Sequence, residues 1–278
     1  MNPKPTLLEI NWAHERVALE IQWVSGPAHG PLLVFLHEGL GSVSMWRDFP
    51  QQLCARLGCR GLVYSRPGYG RSSPRAPEEH WHPDFMERQA TEVLPALLRA
   101  LKVDEPVWLL GHSDGGTIAL LSAIVQGERQ SQSTDLQAAP PVAAVMVMAP
   151  HIMVEDLSIH SIERARQAYL HGDLRQRLAR HHDDTDSAFW GWNQAWLSPA
   201  FRSWSIEARL HHIKVPVLAV QGHDDEYGTL EQIRGIARRV PHTELLELPA
   251  CGHWPHRDQA QALMTAVAAF VHKHSVDR

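Results

Sequence analysis

Apolar residues follow two patterns along the chain, and each pattern predicts a different kind of strand. Over residues 7–12 and 17–23, apolar and polar positions partly alternate, as they do in half-buried antiparallel strands. Further along, short continuous apolar runs are typical of strands buried on both faces of a parallel sheet. These runs cover residues 32–36, 61–64, 107–110, 142–148, 215–220 and 245–248.

Longer segments with apolar residues at helical spacing lie between these runs, for example residues 85–101 and 117–125. Strands that alternate with helices predict an α/β fold, with a mostly parallel sheet and helices on both faces. Residues 126–141 are rich in Gln, Ser and Ala, and this composition predicts a surface loop.

One interval breaks the alternation of strands and helices. From residue 151 to about residue 212 no strand-like run occurs, and the sequence is polar and compatible with helices. We therefore predict a core of residues 1–150 and 213–278, with a helical cap of three or four helices inserted over residues 151–212. Four tryptophans lie in this interval: Trp190, Trp192, Trp196 and Trp204.

Composition narrows the kind of protein without identifying it. With 278 residues, 44% of them hydrophobic, the chain can bury one substantial core. A net charge of -5 provides no broad basic surface for nucleic acid or an anionic membrane. We therefore expect a small-molecule substrate, with no nucleic-acid or membrane partner, and the oligomeric state stays open.

The termini and the cysteines bear on location. The first residues contain no apolar run long enough for a signal peptide, and no stretch approaches the roughly 20 apolar residues of a membrane span. The three cysteines, Cys54, Cys59 and Cys251, are an odd number without metal-type spacing, which indicates reduced thiols. Together these features predict a cytoplasmic protein.

The strongest chemical signal is the run Gly-His-Ser-Asp-Gly-Gly at residues 111–116. It follows a predicted strand directly and precedes an apolar helical segment, which is the context that a G-x-S-x-G nucleophile elbow requires. Small residues allow the tight strand-to-helix turn that exposes the serine hydroxyl. Ser113 is therefore the candidate nucleophile, although a bare G-x-S-x-G also occurs by chance in surface turns.

A serine nucleophile needs a base within hydrogen-bond reach and an acid to orient that base. After the last predicted strand, a Gly-containing loop holds His253, and His256 is the alternative base nearby. The acid precedes the base in chain order in this kind of site. The loop after the penultimate strand contains Asp224 and Asp225, a pairing that is also typical of a solvated turn. Asp156 in the predicted cap is a third possibility.

Acyl transfer also needs N–H donors for the developing oxyanion. One donor is expected from the backbone N–H of Asp114, the residue after the nucleophile. The other is expected from the loop after the strand at residues 32–36, with Gly39 preferred and Leu40 as the alternative.

The joint order of these motifs resembles the α/β-hydrolase superfamily over about residues 7–272. The matching motifs are residues 37–41 and 65–72, the elbow, and the loops that hold the candidate acid and base. The resemblance implies that Asp225, three residues after Gly222, completes a triad with Ser113 and His253. Two positions depart from the family pattern: Glu38 stands where most relatives have Gly, and Ser65 stands where an Asp is usual.

The residue after the serine bears on the substrate. The version of the elbow with Asp114 resembles valacyclovirase-like α-amino ester hydrolases, in which that acid pairs with the substrate ammonium. If Asp114 and Glu38 both face the pocket, they would favour an amino-bearing acyl group. If Asp114 instead bonds loop amides, it does not contact substrate. The remaining candidates for the pocket wall are Trp190 of the predicted cap and Trp254 beside the base.

Neither a metal nor another cofactor is expected. Residues 181–184, His-His-Asp-Asp, are all of types that bind metals, but adjacent side chains rarely converge on one ion.

Together, the motifs predict a hydrolase that cleaves a small carboxylic ester, thioester or lactone through an acyl-enzyme on Ser113. The alternatives are C–C bond hydrolysis of a ring-cleavage product or acyl transfer by the same residues. A non-enzymatic ligand-binding protein is disfavoured by the complete set of triad residue types.

Overall fold

The computed structural model describes residues 4–27, 30–131 and 140–275. Its described residues form one eight-stranded sheet in the order β1-β2-β4-β3-β5-β6-β7-β8. The first two strands pair antiparallel with each other, β2 pairs antiparallel with β4, and the remaining neighbours are parallel. The strands are β1 Thr6–Trp12, β2 Glu15–Val24, β3 Leu32–Leu36, β4 Arg60–Tyr64, β5 Val107–His112, β6 Val142–Met148, β7 Val217–Gly222 and β8 Thr243–Leu248.

Helices cover both faces of this sheet. The α-helices are α1 Phe49–Leu57, α2 Phe85–Arg88, α3 Leu94–Ala100, α4 Asp114–Ser131, α5 Asp156–His171, α6 Leu174–Leu178, α7 Thr185–Trp196, α8 Glu231–Arg239, α9 Pro255–Asp258 and α10 Ala260–Ser275. A π-helical turn, Gln89–Val93, joins α2 to α3. Three short 3₁₀ helices cover Val43–Trp46, Pro199–Phe201 and Glu207–His212.

The continuous apolar runs are strands because both faces of the sheet are buried. In β3, Leu32 and Val34 belong to the apolar cluster on one face, whereas Leu33 and Phe35 belong to the cluster on the other. Alternating side chains point to opposite faces of a strand, so each run contributes to two cores. This arrangement confirms the predicted α/β class with a mostly parallel sheet.

The interval between β6 and β7 is helical, and it contains α5, α6, α7 and two of the 3₁₀ helices. One isolated antiparallel bridge, Met153 with Ser205, joins the two ends of the interval. The prediction of a loop from residue 126 is wrong for its first part, because α4 continues to Ser131. Gln126 stays on the helix and bonds both backbone polar groups of Val142. Residues 132–139 lie outside the described residues.

None of the helices in the described ranges is long and apolar enough to cross a membrane.

Candidate active site

Ser113 lies at the sharp turn between β5 and α4. Its backbone has φ of 52°, in the left-handed region that is unfavourable for a residue with a side chain. The turn is held because Ser113 N–H donates to the carbonyl of Met148 at 2.9 Å. A side chain at Gly111 would lie 2.6 Å from the backbone nitrogen of Gly116, so the strand and the helix approach too closely for any other residue. Non-glycine residues with positive φ often mark functional turns.

His253 and Asp225 lie together at the carboxyl edge of the same sheet. The two atoms His253 Nδ1 and Asp225 Oδ1 are 2.9 Å apart, and both side chains are buried. The second carboxylate oxygen, Oδ2, accepts from Gln221 Nε2 at 3.1 Å. The N–H groups of Tyr227 and Gly228 donate to Oδ1 at 2.8 and 3.3 Å. The carboxylate is therefore fixed on its loop, and it orients the imidazole ring.

The charges of this pair reinforce each other. Burial alone would raise the pKa of Asp225, but the neighbouring His253 holds the pKa of this carboxyl below its ordinary value. Burial alone would lower the pKa of His253, but the charge and hydrogen bond of Asp225 raise the pKa of the imidazole above its ordinary value. Asp225 is thus ionised at neutral pH, and His253 is a stronger base than a free histidine.

Two residues that sequence reasoning did not assign support this pair. His112, the last residue of β5, bonds the carbonyl of His253 through Nε2 at 2.7 Å. A carbonyl oxygen can only accept, so Nε2–H is the donor in this bond, and burial lowers the pKa of His112. His151 also lines the site, and burial beside His253 lowers the pKa of His151 to about 3.

Glu38 lies between cationic or donor groups of the protein itself. Its Oε2 is 3.6 Å from His112 Nδ1, and its Oε1 is 3.8 Å from Arg257 Nη2. Burial alone would raise the pKa of Glu38, but the contact with His112 and the charges of His256 and Arg257 hold this pKa well below its ordinary value. The carboxylate is therefore ionised and already has partners inside the protein.

Two backbone N–H groups are available beside Ser113. Within the described ranges, the N–H groups of Asp114 and Gly39 donate to no acceptor. Asp114 begins α4, so its N–H has no acceptor within the helix. Gly39 lies against Trp192 of α7, since a side chain at position 39 would be 2.5 Å from the indole Cδ1. Leu40, the alternative donor, also lines the cavity.

The side chain of Asp114 is fully buried and bonds the protein. Its Oδ1 accepts from Trp196 Nε1 at 3.1 Å, and its Oδ2 is 3.8 Å from Arg66 Nη1. Arg66 is itself 1% exposed and donates to the carbonyl of Glu38 at 2.9 Å. The carboxylate of Asp114 therefore links the elbow to α7 and to the loop after β4.

A small cavity contains the candidate site. Ser113, His253, Asp114, Gly39, Glu38 and Trp254 all line it, so the structure brings most of the predicted residues together. Trp190 does not line this cavity, and its placement there is wrong. Its ring packs against Tyr169 and Phe189, with Arg166 above it at 5.8 Å.

The tryptophans that do line the cavity are Trp192 and Trp196. Their spacing of four positions places them on one face of α7, whereas Trp190 lies on another face. This helical spacing was the signal in the sequence that could have separated them.

Two other predicted features have structural roles. Ser65, where the family has Asp, donates to Glu20 Oε2 at 2.7 Å and accepts from Val43 N–H at 2.9 Å, so the carboxylate of β2 supplies the missing acid. His182 accepts from Gly70 N–H at 2.9 Å and bonds the carbonyl of Leu40 at 3.0 Å. No group of three or more potential metal ligands lies together in the described part of the chain.

The sequence matches a known family and several characterised proteins. Residues 33–266 match the model of the alpha/beta hydrolase family. The chain is 23% identical to sn-1-specific diacylglycerol lipase ABHD11 of Mus musculus, over 91% of this chain and 85% of that protein. It is 25% identical to proline iminopeptidase of Levilactobacillus brevis, over 90% of this chain and 92% of that protein.

The structure is also similar to that of a thermophilic esterase from Thermogutta terrifontis. The TM-score is 0.71 at 18% identity, and the match covers 98% of this chain and 99% of that chain. At this identity the likeness shows the fold alone.

Proposed function

Since the chain belongs to the alpha/beta hydrolase family, we propose that it is a serine hydrolase that cleaves a carboxylic ester through an acyl-enzyme on Ser113. One observation carries the proposal. Ser113 lies in a strained turn in the same cavity as His253, whose Nδ1 is 2.9 Å from the buried carboxylate of Asp225. Acyl transfer by a serine requires a nucleophile, a base and an acid that orients the base, and these three residues supply those groups.

In the first half of the reaction, Ser113 Oγ attacks the ester carbonyl carbon while His253 Nε2 takes the hydroxyl proton. Nε2 is free to accept because Nδ1–H donates to Asp225. The carbonyl oxygen becomes an oxyanion, which the N–H groups of Asp114 and Gly39 stabilise. The C–O bond to the alcohol then breaks, and the imidazolium returns its proton to the leaving oxygen.

In the second half, a water molecule attacks the acyl-enzyme carbonyl and gives a proton to His253 Nε2. The same two N–H groups stabilise the second oxyanion. The bond from Ser113 Oγ to the acyl carbon breaks, the serine oxygen recovers the proton, and the carboxylic acid leaves. Asp225 remains ionised throughout and stabilises the imidazolium that forms twice.

The cavity supports a small apolar acyl group better than an amino-bearing one. Trp192, Trp196 and Ile162 provide apolar wall. Asp114 and Glu38, the carboxylates that would bind an ammonium, already contact donors and cations of the protein. We propose that residues 151–212 act as the cap over this acyl site.

Steady-state hydrolysis of p-nitrophenyl acetate and p-nitrophenyl butyrate tests the proposal. Ser113→Ala should lose at least about 10³-fold in kcat. Ser122→Ala is a matched control, because Ser122 lies on α4, the helix that follows Ser113, and donates to the carbonyl of Ile118 at 2.9 Å. Near-normal turnover by Ser113→Ala would exclude the mechanism.

The panel should also contain valine benzyl ester and a ring-cleavage dienone. If only the dienone is turned over, the reaction of Ser113, His253 and Asp225 is C–C bond hydrolysis instead of ester hydrolysis.

A further inference from the structure

A second cleft opens beside the catalytic cavity. It is larger than the cavity that holds Ser113. The two spaces are adjacent, because both are lined by Glu38, Leu40, Tyr227 and Trp254. We call the larger space the outer cleft. The helical interval between β6 and β7 forms one of its walls, and loops of the core form the other.

The outer cleft is rich in arginine although the chain as a whole is acidic. Its lining includes five arginines, namely Arg47, Arg164, Arg177, Arg180 and Arg257. The acidic residues of the lining are Glu38, Glu226 and Asp258. The balance of these groups is positive, while the net charge of the chain is -5. Such a local excess of one sign focuses the potential of the cleft on ligands of opposite charge.

The acids of the lining do not neutralise the arginines nearest to the helical wall. Asp258 Oδ2 accepts from Gly252 N–H at 2.9 Å, and Glu38 contacts His112 at 3.6 Å and Arg257, on the core side, at 3.8 Å. Arg164 Nη2 donates to the hydroxyl of Ser161 at 2.6 Å. Neither Arg164 nor Arg180 forms an ion pair with any carboxylate of residues 4–27, 30–131 and 140–275.

His181 lies on the wall of the cleft and responds to these charges. Burial, followed by the charges of Arg257, Arg47 and Arg180, lowers the pKa of His181. Arg180 of the helical wall and Arg47 and Arg257 of the core loops therefore all act on this one residue. The same positive charges would attract an anionic group of a ligand at this place.

We propose that the outer cleft binds a carboxylate or phosphate carried by the leaving group of the substrate. The inference rests on the proposed ester hydrolysis and names the substrate class. The acyl group occupies the small apolar cavity, and the alcohol portion extends past Tyr227 and Trp254 into the outer cleft. There Arg164 and Arg180 bind its oxyanion, since guanidinium groups match carboxylate and phosphate in planar geometry.

Acetate esters that share one acyl group and differ in the leaving group provide the test. The neutral member is methyl 4-acetoxybenzoate, the carboxylate member is 4-acetoxybenzoate, and the phosphate member is 4-acetoxyphenyl phosphate. The measured quantity is the ratio of kcat/KM for each anionic ester to that for the neutral ester. The variants are Arg164→Gln, Arg180→Gln and their combination.

Arg166→Gln is the matched control. Arg166 lies on the same helix as Arg164, but it lines neither cavity and its guanidinium lies over Trp190. A partly exposed charge pair is worth up to about 1 kcal/mol, which is roughly fivefold in kcat/KM. We expect each single variant to lower the ratio by about threefold to fivefold, and the double variant to lower it by about tenfold or more. The control should leave it unchanged. Whichever anionic ester, the carboxylate or the phosphate, shows the larger loss in the double variant identifies the anion that the cleft prefers.

Salt adds a second readout. In the wild type the ratio should fall as the NaCl concentration rises, and in the double variant this dependence should be reduced. A double variant with the same ratio and the same salt dependence as Arg166→Gln would overturn the inference while leaving ester hydrolysis intact.

Absence of turnover of all three esters would instead count against the proposed function. The cleft can then be tested separately, because 4-hydroxyphenyl phosphate and 4-hydroxybenzoate should raise the Tm of the wild type and not that of the double variant. Equal Tm shifts in both proteins would overturn the anion site independently of activity.

Discussion

The close packing of α4 on β3 makes Gly115 a sensitive position. A Cβ atom at residue 115 would lie 2.6 Å from the carbonyl oxygen of His37 and closer still to the carbonyl oxygen of Leu36. An ordinary carbon–oxygen contact is about 3.3 Å, so the start of the helix would have to move by at least about 0.7 Å. All of these neighbours are backbone atoms, which cannot rotate away as a flexible side chain can.

The consequence is both a stability loss and a rate loss. Overpacking costs about 1–3 kcal/mol or more, and alanine in place of glycine within a helix returns at most about 1 kcal/mol. For 278 residues the unfolding entropy is about 0.6 kcal/mol/K, so a net loss of about 2 kcal/mol lowers Tm by about 3 °C. The shift also displaces Ser113 and the N–H of Asp114, and a misplacement of this size costs roughly tenfold to a hundredfold in kcat/KM.

Gly116→Ala is the matched control on the next residue. A Cβ atom there would lie 3.2 Å from Pro150 Cβ, a contact that a few tenths of an ångström relieve. We expect its Tm and kcat/KM to stay near wild type. The measurements are thermal unfolding and steady-state hydrolysis of p-nitrophenyl acetate for both variants. Equal behaviour of Gly115→Ala and Gly116→Ala would refute the packing argument.

Two further predictions concern the base and the cavity wall. His253 acts as a base only when it is neutral, and Asp225 raises the pKa of His253. We therefore expect kcat/KM to rise with pH, with the midpoint of the rise above about 6.5. In Asp225→Asn the residual activity, about 10⁴-fold lower, should have its midpoint at lower pH, and an unchanged midpoint would contradict the pairing. Trp192→Phe should alter the relative kcat/KM of acetate and butyrate esters, since its ring lines the cavity, whereas Trp190→Phe should not. A larger effect at Trp190 in this ester comparison would reverse our assignment of the cavity wall.

Much of the core could be predicted because its signals are local. The run of residues 107–110 is buried, as continuous apolar strands of a parallel sheet covered by helices on both faces are. The elbow could also be recognised, because the small residues around Ser113 are required by the turn itself.

The contacts of the site depend on distant residues and could not be predicted in the same way. Asp114 has Arg66 and Trp196 as partners, and both come from other elements that only the tertiary fold brings near. For the same reason the sequence did not indicate that Glu20 bonds Ser65, where the family usually has Asp. Glu20 belongs to a different strand, which only the fold brings near. Polar composition near Gln126 suggested a loop, but tertiary bonds to Val142 keep that residue on the helix.

The central claim is that Ser113 is the activated nucleophile, and covalent labelling tests it most directly. Intact-protein mass spectrometry after reaction with a fluorophosphonate should show one adduct per chain. The adduct should persist in Ser122→Ala and be absent from Ser113→Ala, with tandem spectra placing it on residue 113. An adduct of equal yield on Ser113→Ala, or none on the wild type, would contradict the account.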